Sequence, residues 1–158
     1  MNNKEIYTRT AGAALLAGLC CSALPVNAAT VSVDCDAGNS INAALVNVKP
    51  GDRVLVSGTC KEQVSFEAEM VRITLDGQKK TTIRHPGKPA ASPHTVFIRG
   101  KDIYIKGITV IGGLDGIHLA GPASAELDGN VVVKAARAGI HIDKGSVARI
   151  LNNTIQDS

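Results

Sequence analysis

The chain is poor in aromatic residues: its 158 residues include no Trp, two Phe and two Tyr. A core built on large rings is therefore excluded, and the many Val, Ile, Ala and Gly residues favour thin layers of small and β-branched side chains, as in sheets. The net charge is only +3, and no block of one charge sign stands out. Nothing in the composition therefore points to nucleic acid as a partner.

The N-terminus has no apolar run long enough to span a membrane comfortably. Residues 11–24 form an uncharged stretch of 14 residues, whereas a span needs about 20. Lys4 and Arg9 precede this stretch, and the small-residue sequence Val26-Asn27-Ala28 follows it. This order is typical of a secretory signal peptide over residues 1–28. We expect export to the periplasm or the outside, no membrane contact after cleavage, and one domain over residues 29–158.

Cysteine is also scarce. Two of the four cysteines lie in the predicted leader, which leaves Cys35 and Cys60. In an oxidising compartment an even pair predicts a disulfide, and two unpaired thiols are the alternative. Two cysteines are too few ligands for a zinc site, and the sequence predicts no metal centre.

A weak repeat runs through the second half of the chain. Five-residue segments alternate small or apolar with outward side chains and end at Gly107, Gly129 and Asn152, which are 22 and 23 residues apart. A fourth copy ends at Gly77. Gly and Asn enter left-handed turns at low steric cost. A period of this size predicts a solenoid of strands and turns, with Leu75, Ile105, Leu127 and Ile150 stacked inside.

A second strand recurs in each coil. Its copies are centred on Phe97, His118 and His141, and aliphatic residues flank each centre. If the aliphatics point inward, the three centres form an outward ladder with rungs about 4.8 Å apart. The same alignment places His94 beside Asp115 and Arg99 in the column of Asp143.

The ends of the predicted domain differ. A cap is expected over residues 29–60, where Ser40 precedes a short helix over residues 41–46. Coils are expected over residues 61–158, interrupted by a loop over residues 86–93, which hold three prolines. Nothing caps the C-terminal coil. We therefore expect a truncated or N-terminal portion of a longer protein, or an end that further coils, self-association or a partner must cover.

These features together resemble the secreted right-handed parallel β-helix proteins of the pectate-lyase-like superfamily. The resemblance rests on the cap helix, on Pro50-Gly51-Asp52, on the Gly or Asn turns and on residues 150–155, which look like the family's asparagine turn. It implies an all-β fold of about four to five coils, and carbohydrate as ligand. Calcium could serve as a cofactor by this resemblance alone, but the sequence shows no acidic cluster with nearby Arg or Lys matching the calcium-assisted lyase site.

The outward columns supply the candidate site residues. A lyase must neutralise a uronate carboxylate, remove a ring proton and protonate the leaving oxygen, and His can move protons near neutral pH. We predict His118 and His141 as catalytic residues and Arg99, Asp115 and Asp143 as substrate-binding residues. Two other interpretations stay open, glycan contact without chemistry and solvent-facing polar residues without a role.

The sequence therefore predicts an exported β-helix protein that binds or processes carbohydrate, most plausibly an acidic polysaccharide. If it is an enzyme, it is a polysaccharide lyase or a glycoside hydrolase. The competing hypothesis is a structural or adhesive β-helix module, or an inactive fragment of a longer β-helix protein, because a fold does not fix a function.

Overall fold

The computed structural model describes residues 28–87 and 93–158. They form a right-handed parallel β-solenoid of about five turns with one short helix near its N-terminal side, which confirms the predicted fold class. The predicted leader and the middle of the predicted proline-rich loop lie outside the described residues, so the signal peptide and the domain boundaries stay predictions. Within the described residues, no helix is long and apolar enough to cross a membrane.

Twelve strands and one helix follow one another along the described chain. In order they are β1 (Thr30–Asp34), α1 (Ile41–Leu45), β2 (Arg53–Cys60), β3 (Val64–Phe66), β4 (Thr74–Arg84), β5 (His94–Ile98), β6 (Ile103–Ile111), β7 (Asp115–Leu119), β8 (Ser124–Asp128), β9 (Val131–Val133), β10 (Ala138–Ile142), β11 (Val147–Leu151) and β12 (Thr154–Gln156).

All strand pairs are parallel and belong to two sheets. Sheet A has the order β1-β2-β4-β6-β8-β11, with β9 paired to the second half of β6 and β12 paired to β9. Sheet B has the order β3-β5-β7-β10. Each strand pairs with its counterpart in the next coil, so residues of equal position in successive coils form columns.

The interior consists of stacked aliphatic columns. Leu75 lies opposite Ile105, Ile105 opposite Leu127, and Leu127 opposite Ile150, as predicted. The first three are fully buried, whereas Ile150 is 46% exposed in the last coil. Ile142, Val147 and Ile155 are exposed in the same region. The cover expected for this end stays a prediction.

The helix closes the N-terminal end of the interior. Its N-cap Ser40 accepts a hydrogen bond from the Ala43 amide at 3.3 Å. The Glu62 carboxylate accepts from the Ser40 hydroxyl and the Ile41 amide, each at 2.7 Å. With these polar groups satisfied, Ile41 and Leu45 are buried against the first coils.

The predicted disulfide is present between Cys35 and Cys60. It joins the residue directly after β1 to the last residue of β2, next to the helix. Cys60 is buried and belongs to the hydrophobic core, and Cys35 packs against that core. The bridge therefore fixes the first coil to the second beneath the cap.

Three of the four predicted turn residues have left-handed backbone. The φ angles are 61° at Gly107, 63° at Gly129 and 53° at Asn152. The prediction was wrong for Gly77, whose φ is not positive. The chain inserts extra residues after Asp76, the register shifts there, and Gln78 and Lys79 adopt the left-handed conformation instead. A side chain at Gly77 would lie 2.5 Å from the Ile108 Cγ2 atom, so Gly is required there by packing.

Gly129 offers a clean test of this turn chemistry, because no atom lies within 4 Å of a Cβ built on it. Only backbone conformation should therefore decide the effect of a substitution. We expect Gly129→Val to lower the free energy of unfolding by about 1–3 kcal/mol. Gly129→Asn should cost much less, since Asn152 holds the same conformation one coil away. Urea unfolding of both variants measures this, and equal losses would contradict the assignment.

Candidate functional site

The register of sheet B brings four of the five predicted site residues into one cluster. In neighbouring coils, His94 pairs with Asp115 and His118 pairs with His141. Asp143 follows β10 and reaches back to His118, with 3.1 Å between Asp143 Oδ2 and His118 Nε2. Successive rungs of a parallel sheet lie about 4.8 Å apart, so side chains in adjacent columns are within contact distance.

Asp115 is the centre of the cluster, and it is fully buried. Its Oδ1 atom accepts a hydrogen bond from Arg137 Nε at 2.8 Å, and the Arg137 Nη2 group binds the other oxygen. His94 Nδ1 lies 2.8 Å and His141 Nδ1 lies 3.3 Å from Oδ2. A buried carboxylate would be costly alone, but a guanidinium fork and imidazole N–H groups compensate for the lost water.

These partners keep Asp115 ionised. Burial by itself raises the pKa of Asp115, but the hydrogen bonds from Arg137 and His141 outweigh it, and the pKa lies below its usual value. The same contact with Asp115 raises the pKa of Arg137. The substrate-binding role predicted for Asp115 stays a prediction. In the structure its carboxylate is buried and contacts Arg137, His94 and His141 rather than solvent.

A short chain of imidazoles leads from Asp115 to the surface. His94 Nε2 lies 2.8 Å from His118 Nδ1, and the two rings meet edge to face. The pKa of His94 is lowered by burial first and then by the neighbouring His118, with Asp115 opposing both. His94 is therefore neutral near pH 7. His94 Nδ1 lies close to Asp115 Oδ2 but is not aligned for a hydrogen bond, and the tautomer of each ring decides which one donates in the pair of His94 and His118.

The outer part of the cluster faces solvent. The rings of His118 and His141 stack in parallel with centroids 4.6 Å apart, which confirms the predicted ladder. The side chains of His141 and Asp143 are 33% and 42% exposed, whereas that of His118 is only 10% exposed. His141 is thus the imidazole that combines access to solvent with a contact to the buried Asp115.

Arg99 does not join this cluster. It lies on the same face but pairs with Glu67 and extends over the Phe97 ring, with its guanidinium 5.6 Å from the ring centroid. Its side chain is 49% exposed. It could approach a ligand that also contacts His118, since Phe97 and His118 are neighbours in the ladder.

Arg137 was missed by the sequence prediction. Its own segment shows no alternation, and it lies in the turn before β10. A signal was present, however, because Ala138 is aligned with Asp115 and Arg137 directly precedes it. Arg137 could therefore have been recognised from the alignment as an ion-pair partner of Asp115. His94 was aligned with Asp115 but received no role, and the structure makes it the link between Asp115 and His118.

A second polar group of residues lies on sheet A beside the left-handed turns. Asp76 is buried and paired with Arg53 and with Lys106, whose Nζ lies 3.3 Å away. The two cations hold the pKa of Asp76 below its usual value despite its burial, which acts in the opposite direction. A shallow groove of about 520 Å³ runs along these turns. It is lined by Asp76, Gln78, Lys79, Lys106, Gly107, Asp128, Gly129 and Asn152.

The histidine cluster can move protons, and the groove on sheet A can supply hydrogen bonds. An imidazole held by a buried carboxylate is fixed in tautomer and orientation, which general acid and base catalysis requires. The groove residues offer carboxylates, amides and two ammonium groups, and of these Asp76 and Lys106 already pair with each other. The arrangement therefore favours chemistry at the cluster and contact at the groove.

Comparison with known proteins gives no relative from which these roles could be read: no protein-family model, no curated protein and no solved structure matches this chain.

Proposed function

We propose that this protein is an exported β-helix protein of the pectate-lyase-like superfamily that cleaves an acidic polysaccharide by proton transfer. The parallel solenoid, the disulfide and the leader sequence support this proposal. The observation that carries it is the buried Asp115, which lies 2.8 Å from His94 and 3.3 Å from His141 and leaves His141 partly exposed.

The proposed reaction is a β-elimination at a uronate residue. His141 removes the proton from the ring carbon next to the carboxylate, the electron pair forms a double bond in the ring, and the adjacent glycosidic C–O bond breaks. The leaving oxygen takes up one proton from water, and the imidazolium of His141 later returns its proton to water, so the atoms balance without a further co-reactant. Asp115 stabilises the imidazolium that forms on His141, because its Oδ2 atom lies 3.3 Å from Nδ1. This requires Arg137 Nη2, which lies 2.6 Å from the same nitrogen, to move away. His94 and His118 keep Asp115 and His141 in place.

The exposed guanidinium of Arg99 supplies the contact to a substrate carboxylate. It is half exposed and projects from the same face as the histidine ladder. Glu67 orients it rather than burying it, so a second carboxylate can approach the free side of the planar group. Asp143 accepts hydrogen bonds from sugar hydroxyls at the exposed edge of the cluster.

An assay on uronate polymers tests this function. Purified protein is incubated with polygalacturonate and with alginate, and the absorbance of the unsaturated product is recorded. We expect His141→Ala to lower the rate by about 10²–10⁴-fold, the usual contribution of a general base. His85→Ala is the matched control, because His85 lies outside the cluster, and its rate should equal that of the wild type. No product from any uronate polymer, or equal rates for all three proteins, would refute lyase activity.

A second candidate function is binding without chemistry, and the groove on sheet A favours it. The groove crosses several coils and offers Lys106, Asp128 and Asn152 side by side, a pattern suited to a chain of sugar hydroxyls. Affinity electrophoresis in gels containing the same polymers distinguishes the candidates. Retardation that is lost in Lys106→Ala and kept in His141→Ala, with no product formed, would support a binding module.

A further inference from the structure

We propose that His118 Nε2, His141 Nε2 and the Asp143 carboxylate bind a divalent late first-row transition metal ion such as Zn²⁺. The three residues offer ligand atoms that all lie within 4.8 Å of one another. Its test needs no polysaccharide, but the site shares His141 Nε2 with the proposed lyase, so an ion bound there would occupy the lone pair that acts as the base.

The outer nitrogen of His118 points at a carboxylate. His118 Nδ1 lies 2.8 Å from His94 Nε2, so the inner nitrogen of His118 is engaged with His94. When Nδ1 is the donor of this pair, the Nε2 atom of His118 carries a lone pair. This nitrogen is buried, makes no aligned hydrogen bond, and lies 3.1 Å from Asp143 Oδ2. A lone pair against a carboxylate oxygen is repulsive, and either a proton on Nε2 or a cation between the two atoms relieves the repulsion.

His141 supplies a second nitrogen to the same carboxylate. Its Nε2 atom lies 3.5 Å from Asp143 Oδ1, and its Nδ1 atom lies 3.3 Å from the buried Asp115. An imidazole that donates one N–H group to a carboxylate and presents its other nitrogen is the usual form of a metal-binding histidine. Arg137 also contacts His141 Nδ1, and metal binding requires that nitrogen to donate to Asp115 instead.

The separations fit a small ion. With ligands about 2.0–2.2 Å from zinc in a tetrahedron, neighbouring ligand atoms are about 3.3 Å apart. The distances of 3.1 Å from His118 Nε2 to Asp143 Oδ2 and 3.5 Å from His141 Nε2 to Asp143 Oδ1 bracket this value. Because the two rings stack in parallel, binding requires the partly exposed His141 ring to turn so that both nitrogens point at the ion. The exposed sides of His141 and Asp143 leave a fourth position open to solvent. Two imidazoles and one carboxylate favour zinc over calcium, which prefers six or more oxygen ligands.

The neighbouring group of His94, Asp115 and His118 also gathers metal-type ligands, but it suits an ion less well. Its carboxylate already binds the guanidinium of Arg137, so a cation there would face a fixed positive charge. Its nitrogens also face one another or Asp115. These residues instead orient the outer site, as second-layer partners do around metal centres.

Zinc titration of the untagged protein tests the site. Isothermal calorimetry should show one Zn²⁺ per chain at micromolar or lower concentration, and no comparable binding of Ca²⁺. Asp143→Asn and His141→Ala alter exposed side chains, and each should weaken zinc binding by more than about tenfold. Loss of a residue that only supports a metal ligand already costs about tenfold in affinity, so loss of a ligand should cost more. His85→Ala should bind zinc as the wild type does. Circular dichroism shows that each variant is folded.

Cobalt substitution provides a second readout that does not depend on affinity. Co²⁺ in the proposed site should give the intense visible bands of tetrahedral coordination, and Asp143→Asn should lose them. The proposal is overturned if the wild type does not bind zinc, if either outer variant binds it unchanged, if His85→Ala abolishes binding, or if calcium binds equally well. Zinc should also raise the melting temperature of the wild type but not of Asp143→Asn.

Discussion

Replacing Asp115 with asparagine should lower the free energy of unfolding by about 3 kcal/mol, near the lower bound for breaking a buried ion pair by removing one partner. The carboxylate is fully buried and contacts Arg137, His94 and His141. Asparagine has nearly the same shape, so no cavity forms. The loss comes from the charge and from an amide N–H₂ group that faces donors instead of accepting from them.

The loss should lie near the lower bound for a buried ion pair because Arg137 can reach solvent. The side chain of Arg137 is 48% exposed, so its guanidinium can turn to water once the carboxylate is gone. A guanidinium trapped in the interior would cost more. The matched control is Asp143→Asn, which alters a carboxylate of the same cluster that is 42% exposed. That variant should lose no more than about 1 kcal/mol, as is usual for exposed ion pairs.

Urea unfolding over a range of pH measures the difference between Asp115→Asn and the wild type. The pKa of Asp115 is lowered in the folded state, so its contribution is complete above the unfolded value of about 3.9 and is lost as the pH falls through the lower folded value. Asp115 also opposes the lowering of the pKa of His94, so the difference between the two proteins should be constant only above about pH 7, and it should shrink in acid where Asp115 itself is protonated. A difference below 1 kcal/mol at neutral pH would show that Asp115 does not hold the cluster together.

Acid should also weaken both proteins through His94. Its pKa is lowered in the folded state, so the neutral form is favoured there. This contribution is complete above the unfolded value of about 6.5 and declines as the pH falls below it. The decline therefore begins well above the range in which Asp115 acts, and the two effects separate along the pH axis.

The sequence predicts the solenoid well because its signal is repeated. The columns of Leu75, Leu127 and their partners recur at the length of one coil, and each copy supports the register of the next. The error at Gly77 has a physical cause. Extra residues widen that turn, and a glycine there is needed for close packing against Ile108 rather than for a positive φ. From sequence alone, both requirements produce the same residue.

The candidate site could be predicted only in part, because the strand register tells which residues share a column but not how side chains from turns reach that column. The register correctly predicted that His118 lies beside His141 and that His94 lies beside Asp115. The position of Arg137 depends on the conformation of the turn before β10, and that turn does not repeat from coil to coil. The separation of Arg99 from the cluster likewise depends on its choice of Glu67 as a partner, which is a rotamer preference rather than a pattern.

The buried amide of Asn130 shows the same limit. It lies one coil from Asn153, donates to the Ile105 carbonyl oxygen and accepts from the Ile108 amide. The resemblance pointed to an asparagine turn at residues 150–155, and the structure extends the ladder one coil back. Asn130 follows Gly129, but in the coil before it the residue after Gly107 is Ile108. The asparagines therefore do not repeat through all coils, and the sequence contains no column of identical residues from which Asn130 could be predicted.

Loss of the disulfide should lower the free energy of unfolding by roughly 3 kcal/mol. The bridge between Cys35 and Cys60 spans 25 residues and connects β1, the helix segment and β2 into one closed loop. Without it the unfolded chain gains the conformational freedom of that loop, while the folded state keeps its hydrogen bonds. The effect should be seen in urea unfolding of the double variant Cys35→Ala and Cys60→Ala.

Reduced wild-type protein is the control that isolates the cross-link. Cys60 is buried in the core, so its replacement by alanine also removes a packed sulfur atom. Reduction keeps both sulfur atoms and opens only the bond. We expect the reduced protein to retain most of the loss seen in the double variant, with the remainder due to the missing sulfur at Cys60. If the reduced protein is as stable as the oxidised one, the loop at the cap is held by Glu62 and the helix rather than by the bridge.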